Sequence, residues 1–278
     1  MVNTMHVACV QMTSGIDIGK NLDRAGGFVR AAAAQGAELI LTPENTCHIR
    51  NPAEAKIKST RSMDEHIGIP YFSALARELG ITLLIGSMAV KAQDGKLMNR
   101  SFLFAPDGTL AKTYDKIHLF DVQLANGETY RESDVFGAGN RAVTAKINDA
   151  FTLGLSICYD VRFAHLYRDL AKASANVMCV PAAFTVPTGK AHWEVLLRAR
   201  AIETGSYVLA CAQTGEHENG RKTYGHSVII NPWGEIVADK PEGEGFIIAQ
   251  IDVAQVQKAR NAIPALTHDR EYSIENKI

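Results

Sequence analysis

The stretch FTLGLSICYDVRF, residues 151–163, decides how the rest of the chain is read. An apolar run with strand character stops at Ser156-Ile157 and delivers Cys158 at its end. Tyr159, Asp160 and Arg162 follow at once, and an amphipathic run begins near Phe163. Strand, nucleophilic side chain, sharp turn and helix is the arrangement of a nucleophile elbow, which lifts the side chain above the sheet edge. Amide N–H groups of the turn and the helix start would face whatever the sulfur attacks, and would favour the thiolate. The opposing reading is a buried strand-end cysteine, because free Cys is among the most buried residue types. The segment alone leaves both readings open.

With 278 residues the chain can form one large domain or two small ones. A hydrophobic fraction of 46% and a charged fraction of 21% are those of a protein that builds a full core. A net charge of -1, with no basic run, argues against a nucleic-acid partner. The opening MVNTMHVACVQM reads as a first strand and not as a signal peptide. No apolar run reaches the roughly 18 residues of a membrane span. The five cysteines, Cys9, Cys47, Cys158, Cys179 and Cys211, are scattered, and neither CxxC nor HExxH occurs. That speaks against a disulfide framework or a zinc site and for a reducing, cytoplasmic setting. Apart from Cys158 they read as core fillers.

Hydrophobic periodicity gives a helix from Asp17 to about Gln35, with Leu22, Ala25, Val29 and Ala32 on one stripe and Gly36 as its stop. A buried strand over 37–43 ends in Thr42-Pro43-Glu44-Asn45, which puts Glu44 at a sheet edge. Residues 47–68 read as a loop with one short helix. A helix opening at Pro70 runs to Leu79, strands follow over 81–90 and 99–105, and Pro106-Asp107-Gly108 turns into a strand over 109–114. The segment from Lys116 to about Asn140 reads as a long loop of the kind that tends to be functional. After the elbow the same order returns: a helix over 163–173, a strand over 176–181 ending in proline, a helix over 189–204, a strand over 207–212 and a hairpin turning at Pro232-Trp233-Gly234. LILTPEN answers to VMCVPAAF, and SFLFAPDGTLAKTY to SVIINPWGEIVADK. Two such halves predict two mixed sheets packed face to face with helices outside, a four-layer αββα sandwich of the α+β class with an internal pseudo-two-fold. The tail after about residue 252 is weakly patterned, and packs either on a partner subunit or on this chain.

A cysteine hydrolase needs a base, an oxyanion donor and an acid for the leaving group. Nine histidines are present, but none announces itself by spacing, and His118, His192 and His226 read as structural. Glu44 is the alternative base if burial or a second carboxylate tunes it, and Lys116 can offer a fixed positive charge. Each also has an ordinary reading as a solvated loop residue.

LTPEN, KTYDKIHLF and SICYDVRF together resemble the nitrilase, or carbon–nitrogen hydrolase, superfamily, whose catalytic set is Glu, Lys and Cys in that order. The resemblance extends over about residues 5–252 and makes residues 1–278 a single domain. KIHLFDV, CYDVRF, AHWEVLLRARAIET, YGHS and NPWGE are similar to the Nit branch, and the wording is nearer its deaminated-glutathione amidase side than its ω-amidase side. The resemblance implies Glu44, Lys116 and Cys158 as catalytic residues. A second active-site glutamate is also implied; the acid-Ser pattern of GETYRESD favours Glu132 over Glu128, its task being to orient Lys116 and, by like-charge proximity, tune Glu44. It further implies a backbone oxyanion donor at Tyr159, pocket-lining backbone at Phe184 and Thr185, and no metal or organic cofactor. Arg162 either pairs with a substrate carboxylate or braces the elbow through Asp160. The expected activity is hydrolysis of the terminal carboxamide of a small carboxylate-bearing molecule, through a Cys thioester, to acid and ammonia. The rivals are an ω-amidase acting on α-ketoglutaramate-like amides, a nitrilase, and a catalytically silent binding protein on the same fold. The expected partners are the amide, water and a second copy of the chain in a homodimer or larger assembly.

Overall fold

The computed structural model describes residues 3–50, 53–92, 95–124 and 127–275. The first half runs β1 (Thr4–Gln11), α1 (Ile18–Ala34), β2 (Leu39–Leu41), α2 (Ala53–Ser59), α3 (Gly68–Leu79), β3 (Thr82–Lys91), β4 (Leu97–Phe104) and β5 (Leu110–Asp115). An excursion follows, with β6 (Asp121–Gln123), β7 (Thr129–Arg131) and β8 (Phe136–Gly137). The second half runs β9 (Val143–Lys146), β10 (Thr152–Leu155), α4 (Ala164–Lys172), β11 (Val177–Cys179), α5 (Val186–Thr204) and β12 (Tyr207–Ala210). It continues through β13 (Thr214–Glu216), β14 (Lys222–Tyr224), β15 (Ser227–Ile230), β16 (Ile236–Lys240), β17 (Gly245–Asp252) and α6 (Val253–Ala262).

The expected repeat is visible in the topology. One sheet has the order β17-β1-β2-β3-β4-β5, and the other β9-β10-β11-β12-β15-β16. In each, three central strands are parallel, two antiparallel strands follow on one side, and one antiparallel strand closes the other edge. Strand alternation assigns the two faces. Val7, Cys9, Leu39, Leu41 and Leu84 share a core with Leu153, Leu155, Val177, Cys179 and Leu209 of the facing sheet. The intervening Ala8, Val10, Ile40, Leu83 and Ile85 pack instead against Leu22, Ala25 and Val29 of α1 and Phe72 and Leu75 of α3. With α4 and α5 on the far side, this is the four-layer αββα sandwich. No helix among the described residues is long and apolar enough to cross a membrane.

Local chemistry sets the helix ends close to the expected positions. The Asp17 carboxylate accepts from the Lys20 N–H at 3.0 Å and caps α1. Left-handed Gly80 and Gly205 end α3 and α5. α5 starts earlier than periodicity predicts because Pro187 suits a first turn, where its missing N–H leaves no bond unmade.

Two readings need correction, and one left open is decided. β17 was not anticipated, although it pairs with β1 along its whole length; its pairing spans nearly the whole chain and leaves no local signal. The segment after Lys116 is not simply a loop, since β6 and β7 form a hairpin and β8 pairs with β4. The tail packs on its own chain at least through α6. Val256 joins the core there, and Arg260 donates to the Ala175 and Thr204 carbonyls.

Candidate active site

The two halves meet at the C-terminal ends of their parallel strands. Pro43-Glu44 leaves β2, and Pro181 leaves β11 opposite it. Gly86 of β3 sits where both corners converge: a Cβ there would lie 2.1 Å from the Thr42 carbonyl oxygen and 2.4 Å from Pro181 Cβ. Only glycine lets the strands close to this distance.

The elbow forms as expected, but through a short 3₁₀ turn, Cys158–Arg162, placed before α4. Cys158 has φ of 52°, a left-handed conformation that costs a non-glycine residue about 1–2 kcal/mol. Its N–H donates to the Pro181 carbonyl at 2.8 Å, which ties the cysteine's backbone to the opposite corner. Asp160, fully buried, holds the turn from below. Its carboxylate accepts from the Ile157 N–H at 2.9 Å, the Tyr114 hydroxyl at 2.7 Å and the His118 N–H at 3.0 Å, and His118 Nδ1 lies 2.7 Å away. Elbow and Lys116 segment are thereby locked together.

Glu44, Lys116, Glu132 and Cys158 converge above this scaffold. Lys116 Nζ, 2% exposed, lies 3.0 Å from Glu44 Oε1 and 2.8 Å from Glu132 Oε2. Glu132 Oε2 also accepts from the Phe120 N–H at 2.7 Å. Asn99 spans the two acids, its amide 2.9 Å from Glu44 Oε1 and 3.2 Å from Glu132 Oε1. The Ala183 N–H donates to Glu44 Oε2 at 2.9 Å, and the Cys158 sulfur lies close enough to Glu44 and to the Ala183 N–H for both to act on its ionisation. Glu128 is exposed and accepts from the Tyr130 hydroxyl. Of the two glutamates in the GETYRESD loop, Glu132 is thus the one at Lys116.

Burial disfavours charge on every one of these groups, and their mutual fields decide the outcome. For Glu44, burial pushes upward, but the Lys116 ammonium, the Cys158 hydrogen bond and Arg221 outweigh it and hold the carboxyl below its usual range. Lys116, paired with both acids, outweighs any like-charge effect of Glu132, so that Glu44 is lowered and not raised. For Lys116, burial opposes the charge, and the Glu132 and Glu44 carboxylates overcome it, holding the ammonium well above its ordinary value. Burial and the neighbouring Glu44 charge push the Cys158 thiol well up, against the pull of Lys116. The resting arrangement is therefore a neutral thiol beside an ionised carboxylate and a fixed ammonium.

Phe120, Tyr159, Ala183, Phe184, Thr185 and Thr188 wall a narrow space over the sulfur. Phe184 contributes its ring; its carbonyl, expected to line the pocket, is taken by the Tyr224 N–H. Arg162 does not brace the elbow through Asp160, whose oxygens have other partners. Its guanidinium lies 5.5 Å over Phe184 and 5.7 Å over Tyr159, with His192 Nδ1 at 3.3 Å. His118 stacks on Phe163 at 3.5 Å, and His226 stacks on Tyr224 at 3.8 Å; both are structural, as expected. Sequence reasoning missed Asn99, Ala183 and Arg221. The one signal for Asn99 was a polar residue inside a strand beside the Lys116 segment.

The carbon-nitrogen hydrolase family profile matches residues 6–261. The chain belongs to the carbon–nitrogen hydrolase family. It is 43% identical over 264 residues to the deaminated glutathione amidase of Synechocystis, covering 94% of this chain and 96% of that one. The crystal structure of Saccharomyces cerevisiae Nit3, a member of branch 10 of the nitrilase superfamily, superposes with a TM-score of 0.86 at 30% identity over 97% of both chains. The Caenorhabditis elegans NitFhit structure gives 0.89 at 35% identity, covering 96% of this chain and 65% of that longer one. As a member of this family the chain is a hydrolase of amide carbon–nitrogen bonds.

Proposed function

We propose that the chain is a thiol amidohydrolase acting through a Cys158 thioester, with deaminated-glutathione-type amides as its substrates. The observation that carries this reading is the buried Glu44–Lys116–Glu132 cluster, with the buried Cys158 thiol within the field of both Glu44 and Lys116. Glu44 takes the thiol proton as the sulfur attacks the amide carbon. The Lys116 ammonium and the Tyr159 N–H receive the developing oxyanion, each such donor being worth about 3 kcal/mol of barrier. Glu44 then protonates the departing nitrogen as the C–N bond breaks, leaving a thioester. Water, deprotonated by Glu44, releases the acid and restores the thiol. Glu132 and Asn99 hold Lys116 and Glu44 in place throughout, and no step needs a metal or organic cofactor.

Arg162 is assigned to a carboxylate on the acyl half, with Phe184 and Thr185 against its chain. Its freedom from Asp160 and its seat over the two pocket rings support that role. In a terminal carboxamide the leaving group is ammonia; in an amide of the glutathione skeleton it is the amine of a cysteine-led dipeptide. The chain is further proposed to act as one domain, in the cytoplasm, as a homodimer.

A panel of deaminated glutathione, α-ketoglutaramate, propionamide and an aliphatic nitrile, read for both ammonia and free amine, tests the reading. Deaminated glutathione should give the highest kcat/KM. Cys158→Ala should lose all turnover while keeping its circular dichroism and Tm. Release from none of the four by the native chain would sink the assignment.

A further inference from the structure

Two cations at the mouth of the site have no role in the steps above: Lys56 of α2 and Arg221 of the turn between β13 and β14. Arg221 donates through Nη2 to the Ala183 carbonyl at 2.6 Å, so its guanidinium is anchored to the residue whose N–H holds Glu44. Its Nε is buried and has no partner. The Lys56 ammonium lies 5.0 Å over the Phe136 ring, with no hydrogen-bond or ion-pair partner among the described residues. It lies within the fields of Arg221, Glu132, Glu44 and Lys116; burial first, and then Arg221, pull it down to about 8. Lys56, Lys116 and Arg221 thus face Glu44 and Glu132, three positive charges against two negative. That leaves one positive charge in excess in a partly dehydrated place, which a further anion would balance.

The space beside Arg221 has room for a substrate. Arg221 lines a cleft of about 480 Å³ together with Glu128, Tyr130, Pro187, Asn219 and Lys222, a volume in the range of small-molecule sites; the two cations outnumber the one acid on its wall. Thr185 lines both this cleft and the space over Cys158, so the two adjoin. Arg162 stands over the Tyr159 and Phe184 rings of the sulfur pocket, and Arg221 lines the adjoining cleft. An amide likewise has two halves, and each cationic side can take one.

We propose that the Arg221 cleft is the leaving-group subsite, in which Arg221 and Lys56 pair with a carboxylate on the amine half of the amide. The deaminated-glutathione-type amides proposed above carry such a carboxylate on their dipeptide half, and Arg221 and Lys56 are the residues assigned to it. This rests on the amidase reading and narrows it. When the C–N bond breaks, its electron pair stays on nitrogen, which takes the proton that Glu44 accepted from Cys158. The amine half, its carboxylate still paired, then departs and opens the thioester to water.

The test holds the acyl half constant as glutaryl and varies only the amine half: glycylglycine, glycylglycinamide or ammonia. The native chain should prefer glycylglycine over its amide-capped twin at least about tenfold in kcat/KM, the scale of one charge-assisted hydrogen bond. Lys56→Met and Arg221→Met should each drive that ratio toward one, and general damage to the site cancels in a ratio. A second arm titrates glycylglycine into Cys158→Ala by calorimetry, alone and combined with each substitution. Binding there should weaken with either substitution. A native ratio near one, or a ratio that both variants preserve, overturns the subsite. Cation-dependent binding with no cleavage of any amide would leave the subsite standing and overturn the amidase reading instead.

Discussion

Lys116 carries the largest electrostatic load of any single residue. It neutralises two carboxylates at a position almost sealed from water. Lys116→Met keeps much of the bulk and removes the charge, leaving Glu44 and Glu132 buried without their cation, a loss on the scale of about 3–5 kcal/mol. Urea unfolding at pH 7 should show that loss together with a collapse of kcat, and the stability deficit should shrink at pH 5 as the unpaired acids take up protons. A deficit that does not change with pH would mean the cluster contributes little. His48 makes the opposite kind of prediction. Burial first, then the charges of Lys56, His66 and Arg50, bring its imidazole down to about 3, against about 6.5 in an unfolded chain. Between those values the unfolded state holds the extra proton, so stability is complete above pH 6.5 and falls as the pH drops below it, by up to about 1.4 kcal/mol per unit. His48→Gln should flatten the fall of the urea midpoint between pH 6.5 and 4.5. Its slope would stay above zero, because His66 and His217 are lowered by burial too. An unchanged slope would contradict the assignment.

At the scale of elements, the site depends on how closely two strand corners approach. Gly86 of β3 is the contact point, and no side chain there can swing clear of the Thr42 carbonyl or of Pro181. Gly86→Ala should therefore cost about 2–3 kcal/mol or more and also lower kcat, because moving the corners moves Glu44 relative to Cys158. Parallel urea melts and kinetics check this; a stable, fully active variant would show that the corners have slack. The elbow was legible because strand, cysteine and amphipathic run are consecutive, so local periodicity reports all three. The pairing of Asp160 with Tyr114 and His118 was not, because it joins segments that only the sandwich brings together.

For the whole molecule, the repeat of architecture was readable from two strand-proline corners and two hairpins, and the topology keeps it strand for strand. The strand that closes the first sheet, β17, came from the far end of the chain and gave no such sign. The proposed homodimer has a natural face in Val195 and Ile202, one heptad apart on α5, with Trp233 on the turn beside them. They are 69%, 54% and 56% exposed, and the Gly234 turn lies against Ile202. Val195→Glu combined with Trp233→Glu should convert a dimer to a monomer in analytical ultracentrifugation, and an unchanged mass would place the interface elsewhere.

Periodicity and two strand-proline corners predicted the layered architecture, and the resemblance of three short motifs to a known family nominated Glu44, Lys116, Cys158 and Glu132. Only the tertiary structure decided what holds those groups and what faces them: Asn99 between the two acids, Ala183 at Glu44, Asp160 beneath the elbow, Arg221 and Lys56 at the mouth. Their partners lie far away along the chain, and a field or hydrogen bond that acts across space leaves no pattern in the neighbours of either residue. The strand, turn and helix of FTLGLSICYDVRF are properties of its segment; the ionisation of its cysteine belongs to the assembled site.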